Sequence, residues 1–164
     1  MDHNERGGRI VVGVDGSPGS TAATAWALDE AGRSDAELET VYAWALPTFT
    51  YSAPEFVDPD PDRVEAEGLA LIDQALALVS ATSAVKIHSR VENGRAFDVL
   101  CRIADEPDVR MLVVGSRGHG DLAELVLGSV SHALSHHAPA PLVKVALGGK
   151  SALGSLVPMC TVPA

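Results

Sequence analysis

Arg110-Met111-Leu112-Val113-Val114-Gly115 runs directly into Ser116-Arg117-Gly118-His119-Gly120, and nine residues separate Gly118 from Gly128-Ser129. The apolar run shows little alternation, which reads as a strand covered on both faces, as in a parallel sheet. Such a strand delivers the chain to the ligand side of its sheet. Gly115 and Gly118 permit turns with positive φ and close approach to a ligand. Gly128 and Ser129 then begin a helix whose free amides and dipole favour an anion, and the hydroxyls of Ser129 and Ser131 add donors. Two amide clusters facing one pocket suit a di- or triphosphate better than a single phosphate. The competing reading is that these glycines only make turns.

Outward from this stretch the chain repeats the same alternation. Residues 9–14, 38–45 and 141–146 are further short, valine-rich runs. Residues 85–91 alternate apolar and polar side chains, as a half-exposed edge strand does. Helical spacing lies between them. Ala22, Ala25, Trp26 and Leu28 follow a start signal of Ser17 and Pro18, a cap and a first-turn proline. Leu69, Ile72, Leu76 and Val79 share one helix face, with Asp62 and Glu65 at capping-box spacing. Ala96, Val99, Leu100 and Ile103 repeat the pattern after Asn93-Gly94, and a fourth helix over about 129–137 stops before Pro139. Strand and helix alternate throughout, so the expected fold is α/β: a single-domain, doubly wound, five-stranded parallel sheet with helices on both faces, Rossmann-like. Any ligand belongs beyond the carboxyl ends of the strands, where the strand order reverses. The domain is expected over residues 8–147, with 148–164 a tail of unassigned role.

Composition narrows the function. The 164 residues are 46% hydrophobic and 21% charged, which fits a packed domain and excludes a wholly disordered chain. The net charge of −10 argues against nucleic acid as a partner, because phosphate-backbone binding needs clustered Lys and Arg. All 22 acids and 10 of the 12 Lys and Arg residues lie at or before Glu124, so the remainder carries only Lys144 and Lys150. Cys101 and Cys160 make no disulfide framework, and a reducing cytoplasm is the simpler expectation. The first six residues are polar and mixed in charge, unlike a signal peptide, and no run approaches 18 apolar residues. The expectation is a soluble protein with no membrane partner.

The pattern Gly115-x2-Gly118-x9-Gly128-Ser129 resembles the nucleotide-binding signature of the universal stress protein family, in its ATP-binding branch. The opening Ile10-Val11-Val12-Gly13-Val14-Asp15-Gly16-Ser17 is similar to that family's first strand and turn, and His137-Ala138-Pro139-Ala140-Pro141-Leu142-Val143 to its closing run. The resemblance spans about residues 8–146. It implies ATP as the ligand, with Asp15 the nucleotide-contacting aspartate and Gly13 beside it. It further implies that the Ala43 backbone faces adenine, and that Val114 and Gly115 lie by the ribose and base. Gly118 would sit at the phosphates, with Gly128, Ser129, Val130 and Ser131 around the phosphate chain. Asp15 would accept from a ribose hydroxyl or help hold a magnesium ion, the ribose being preferred. Its alternative is to accept backbone amides in the Gly16-Ser17 turn. The family pairs into dimers through its last strand, so a homodimer is expected. Lys144 interrupts the valines of that strand and brings the contact into question, its other reading being an edge lysine that discourages promiscuous pairing.

Other motifs fail on inspection. Gly149-Lys150-Ser151 resembles the end of a P-loop, but Lys144 stands where its first glycine is required. Gly118-x-Gly120-x-x-Ala123 fits a dinucleotide fingerprint formally, yet no acid follows Glu124 to take the ribose. His132 and His136 are spaced i, i+4, but Ala133 replaces the glutamate of a zinc protease and no third ligand is evident. They read as a polar helix face with one histidine turned inward. Arg117 is the better candidate for a charge near phosphate, and His119 a weaker one. No catalytic residue is assigned. The favoured function is an ATP-binding regulatory or signalling dimer in stress response. The alternatives are a slow ATP hydrolase or phosphotransferase of related fold, and a nucleotide-free interaction module.

Overall fold

The computed structural model describes residues 7–45, 60–79, 84–116 and 128–147. Strand and helix alternate as β1 (Arg9–Gly13), α1 (Pro18–Ser34), β2 (Glu37–Trp44), α2 (Pro61–Val79), β3 (Ile87–Asn93), α3 (Ala96–Ala104), β4 (Val109–Gly115), α4 (Ser129–His137) and β5 (Leu142–Val145). All neighbouring strands are parallel, in the order β3-β2-β1-β4-β5. The fold is therefore the doubly wound α/β sheet that the alternation implies. The alternating strand β3 lies at one edge and β5 at the other. From β1 the chain winds outward to β3, then crosses back to β4 on the opposite side, so the order reverses between β1 and β4.

Strand side chains alternate between two cores. Ile10 and Val12, with Leu38 and Val113, meet the alanine face of α1 at Ala23, Ala27 and Ala31, all fully buried. Val11, with Val41, Leu112 and Val114, meets Val99, Leu100 and Ile103 of α3 and Leu134 of α4. Each large aliphatic side chain so buried contributes about 1.5–3 kcal/mol.

The helix starts follow local chemistry. The Ser17 hydroxyl accepts the Ser20 amide at 3.1 Å, and Pro18 opens α1 as its spacing suggests. For α2 the expected Asp62–Glu65 box is displaced. Pro61 already begins the helix, and the Asp60 carboxylate accepts the Asp62 amide at 3.2 Å. The buried face of α2 is Gly68, Ile72 and Ala75, with Leu69, Leu76 and Val79 only partly covered. A Cβ on Gly68 would lie 2.6 Å from Tyr42 Cδ1 and 2.9 Å from Val91 Cγ2, so glycine lets α2 settle against β2 and β3.

Apart from Val41 and Ala43, the β2–β3 half of the face bearing α3 is covered by ions rather than apolar side chains. Arg9 reaches Glu39 at 3.0 Å and also binds Glu106 and Asp108. Arg90 binds Glu92 at 2.6 Å and Glu106 at 3.2 Å, and Arg102 binds Glu92 at 3.0 Å. Glu39 is the buried member, with a side chain 6% exposed, and burial pushes its carboxyl above the ordinary range despite Arg9 and Arg90. Glu106 moves the other way, held low first by its hydrogen bond from Arg9.

Candidate functional site

The reversal between β1 and β4 opens a pocket of about 280 Å³ on the face shared by α3 and α4. Its floor is the carboxyl ends of three strands: Gly13 from β1, Val41 and Ala43 from β2, and Val114 and Gly115 from β4. Ala96 and Leu100 of α3 wall one side. Val14, Asp15 and Ser20 stand at the α1 end, and residues 128–131 at the start of α4. Apolar side chains thus form a slot beside a cluster of polar backbone.

Three helices begin here: α3 has no side-chain cap but carries Asp98 in its first turn, and α1 and α4 differ from each other in how their first turns are closed. The N-terminus of α1 is sealed by its own chain: Ser17 caps the Ser20 amide, and Asp15 Oδ1 accepts the Ser17 amide at 2.9 Å. Ser20 Oγ in turn accepts the Asp15 amide at 3.3 Å and donates to the Ser17 carbonyl at 3.0 Å. Asp15 therefore fills the turn-forming role left open by the sequence while its carboxylate remains at the exposed rim of the pocket. Helix α4 begins at Gly128, which has no side chain to cap it, and its first turn contains no acid. The first intrahelical bond runs from the His132 amide to the Gly128 carbonyl at 2.8 Å. The amides of Ser129, Val130 and Ser131 are left without an intrahelical acceptor, and they carry the positive end of the helix dipole.

The hydroxyl of Ser131 is not the ligand donor the sequence suggested. It is 3% exposed and lies 3.0 Å from each of the Ser116 and Gly128 carbonyls. Ser116 also accepts the Gly128 amide at 2.9 Å and donates its own amide to Val145 at 2.8 Å. Ser131 therefore ties the start of α4 to the end of β4. Ser129 is exposed and keeps the outward position.

Gly115 is likewise needed for another reason than expected. Its φ is not positive. A Cβ there would lie 2.6 Å from the Gly19 carbonyl carbon, 2.8 Å from its oxygen and 3.0 Å from the Ser20 nitrogen. The first signature glycine therefore lets α1 approach β4. At Gly13 the tightest contact of a Cβ would be the end of the Leu100 side chain, at 3.2 Å, with Val114 Cγ1 at an ordinary 3.6 Å. The structure thus brings together Gly13, Asp15, Ala43, Val114, Gly115, Gly128, Ser129, Val130 and Ser131. Arg117, Gly118 and His119 lie outside the described residues, as does the tail beyond residue 147. Val14, Ser20, Val41, Ala96 and Leu100 also line the pocket and were missed. The helix patterns contained Ala96 and Leu100, but periodicity cannot say which core-facing residue lies beside a cavity.

Elsewhere, Cys101 is half-buried against the α3–α4 core, as its position beside Leu100 suggests, and burial followed by the Asp98 charge pushes its thiol up. The expectation of one inward histidine on α4 is wrong. Ser131 and Leu134 take the buried positions, and His132, His136 and His137 are all exposed. Among the described residues, no helix is long and apolar enough to cross a membrane. Among them also, no group of three or more His, Cys, Asp or Glu is arranged to hold a metal ion.

Fold and pocket define a doubly wound α/β domain with a small-ligand cleft at its switch point. The universal stress protein family model matches residues 8–146, and the chain belongs to that family. A universal stress protein of Mycolicibacterium smegmatis is 32% identical over 141 residues, covering 83% of this chain and 45% of the relative. The chain thus spans less than half the length of that mycobacterial relative. Universal stress protein YxiE of Bacillus subtilis is 30% identical over 145 residues, covering 84% of this chain and 97% of the relative. A solved universal stress protein in complex with cAMP is 28% identical, with a TM-score of 0.59 over 85% of this chain and 96% of that one. A family member from Arabidopsis thaliana with AMP bound superposes with a TM-score of 0.54 at 20% identity, covering 85% and 91% of the two chains.

Proposed function

We propose that residues 8–147 form an ATP-binding regulatory unit of the cytoplasm, acting in stress response as a homodimer. The observation that carries the binding reading is the uncapped first turn of α4 opening into the switch-point pocket. Three amides and a dipole end at one side of the cavity suit phosphate oxygens. The slot of Val41, Ala43, Leu100 and Val114 suits a flat base, with the Ala43 backbone reading its edge. The cAMP and AMP complexes of related proteins support an adenine nucleotide as the class. Asp15 contributes the only carboxylate among the described pocket residues. Its Ser17 hydrogen bond fixes it as an acceptor for a ribose hydroxyl, and any magnesium would arrive held mainly by the phosphates. The same reading adds Gly118, implied at the phosphates by the family resemblance, and the charge of Arg117 as further phosphate contacts. These groups bind ground and transition states alike, so the unit is a switch rather than an efficient hydrolase.

The dimer reading rests on β5, the outer strand on its side of the sheet, whose Val143 and Val145 are only partly buried. Lys144 is exposed but folds onto α4, where its ammonium donates to Ser135 Oγ at 3.0 Å, so among the described residues no strand pairs with the outer edge of β5, which a second copy would take. Calorimetric titration with ATP tests the binding reading. One nucleotide per chain is expected, and Ser129→Asp should weaken it at least about tenfold by placing a carboxylate at the phosphate position. Equal affinity in the variant would remove α4 from the site.

A further inference from the structure

Helix α4 carries a second chemical feature, in exposed side chains that do not line the pocket. His132 and His136 stand one turn apart, both exposed, with ring centroids 5.1 Å apart and planes at 73°. Among the described residues neither ring is engaged by a hydrogen bond or an ion pair. Their spacing has a geometric meaning. An imidazole nitrogen binds zinc at about 2.0–2.1 Å, which puts the ring centre about 3.2 Å from the metal. Two such rings at a tetrahedral angle are therefore about 5.2 Å apart. The observed separation is close to that of two rings sharing one ion.

We propose that His132 and His136 form a two-histidine site for a borderline divalent cation such as Zn²⁺, Ni²⁺ or Cu²⁺, with water or another exchangeable ligand completing the coordination. Neutral imidazoles select these ions and discriminate against Mg²⁺ and Ca²⁺, which take oxygen ligands. The helix supplies preorganisation, since residues four apart lie on one face whether or not an ion is present. His136 also falls in the last turn of α4, where the carbonyl end of the dipole favours a cation.

The surroundings define the set. His137 lies farther off, its ring 6.4 Å from that of His136 and edge-on to Phe97 at 6.0 Å, so the pair at 5.1 Å is taken without it. From β5, Lys144 is held on Ser135 and opposes a cation electrostatically. From α3, Cys101 sits with its sulfur 4.0 Å from the His137 carbonyl, on the packed side of the helix. Protons compete with the metal for the imidazole nitrogens, so acid should weaken binding.

The test uses the full chain stripped with a chelator and titrated with ZnCl₂, NiCl₂ or MgCl₂ by calorimetry at about pH 7.5 and about pH 5.5. The expected result is one Zn²⁺ or Ni²⁺ per chain, no Mg²⁺ heat, and binding at least about tenfold weaker at the lower pH. His132→Ala and His136→Ala should each weaken Zn²⁺ binding at least about tenfold, while His137→Ala and Cys101→Ser stay within about twofold of the parent. Both ligand positions are exposed, so the variants should keep the parent's circular dichroism. Parental zinc affinity in a His132→Ala/His136→Ala double variant would overturn the proposal. An equal loss in His137→Ala or Cys101→Ser would do the same.

Discussion

Replacing Gly115 by alanine tests whether the first signature glycine serves the fold before it serves the ligand. The added Cβ would sit 2.6 Å from the Gly19 carbonyl carbon, where unstrained carbon contacts begin at about 3.5 Å, an overlap of nearly 1 Å. Neither side can yield cheaply. Gly115 is registered against Val145 in the sheet, and Gly19 lies in the first turn of α1, which Ser17 and Asp15 secure. Overpacking costs about 1–3 kcal/mol, and a backbone collision belongs at the upper end. Alanine recovers about 0.5–1 kcal/mol through reduced chain entropy, leaving a net loss of about 2 kcal/mol. For a chain of this length that is a fall in Tm of about 4–8 °C. The assay is denaturant unfolding of the full chain, in which the midpoint should fall at unchanged slope. Gly13→Ala, whose one tight contact is the movable end of Leu100, should cost less than about 1 kcal/mol. Stability of Gly115→Ala within about 0.5 kcal/mol of the parent would refute the packing argument.

Removing one charge from the ion cluster should cost more than removing two. Arg9→Leu leaves Glu39 buried with only the more distant Arg90, at 3.7 Å, and should lose about 3 kcal/mol, at least half of it restored by adding Glu39→Leu, as read by denaturant melts of all three variants. Acid should loosen the same region. Glu106 is held low by its hydrogen bond from Arg9, and Glu92 is held low by Arg90 and Arg102 although burial opposes the shift. Their contributions are complete above the ordinary value of 4.5 and fade as pH falls through their lower folded values. Glu39, raised by burial, has the opposite sign and loses stability as pH rises through its folded value. With Glu92 and Glu106 against Glu39, stability should drop below about pH 4.5, and Glu106→Gln should flatten that drop in melts followed across pH. Ser131→Ala should cost about 1 kcal/mol by freeing the start of α4 from Ser116, and its thermal midpoint should fall even without ligand.

The fold was legible because its signals are local. Valine runs, helical spacing, and Ser17-Pro18 before α1 each depend on neighbours in sequence. Gly115, Gly128, Ser129 and Ser131 were legible for a related reason, since a strand end and a helix start must meet at the switch point of such a sheet, whereas Gly13, Asp15, Ala43, Val114 and Val130 were implied by the family resemblance. What escaped depends on distance in space. Nothing beside Gly115 in sequence announces that Gly19 will lie against it. The Ser131 hydroxyl looks available until Ser116, fifteen residues earlier, is seen to accept it. Arg9 and Glu106 are 97 residues apart, so the ionic half of one sheet face has no local signature. The cap of α2 was misplaced by two residues because Pro61 starts the helix earlier than the Asp62–Glu65 spacing implies.

The central claim is that an adenine nucleotide lies across the β1–β4 reversal with its phosphates on the first turn of α4. Amide-resolved NMR of the ¹⁵N-labelled chain during titration with ATP, and separately with adenosine, tests it directly. ATP should shift the amides of Ser129, Val130 and Ser131 together with that of Ala43, and adenosine should shift Ala43 while leaving the α4 amides nearly still. Saturating ATP that leaves Ser129, Val130 and Ser131 unmoved, or moves them no more than adenosine does, would contradict the account.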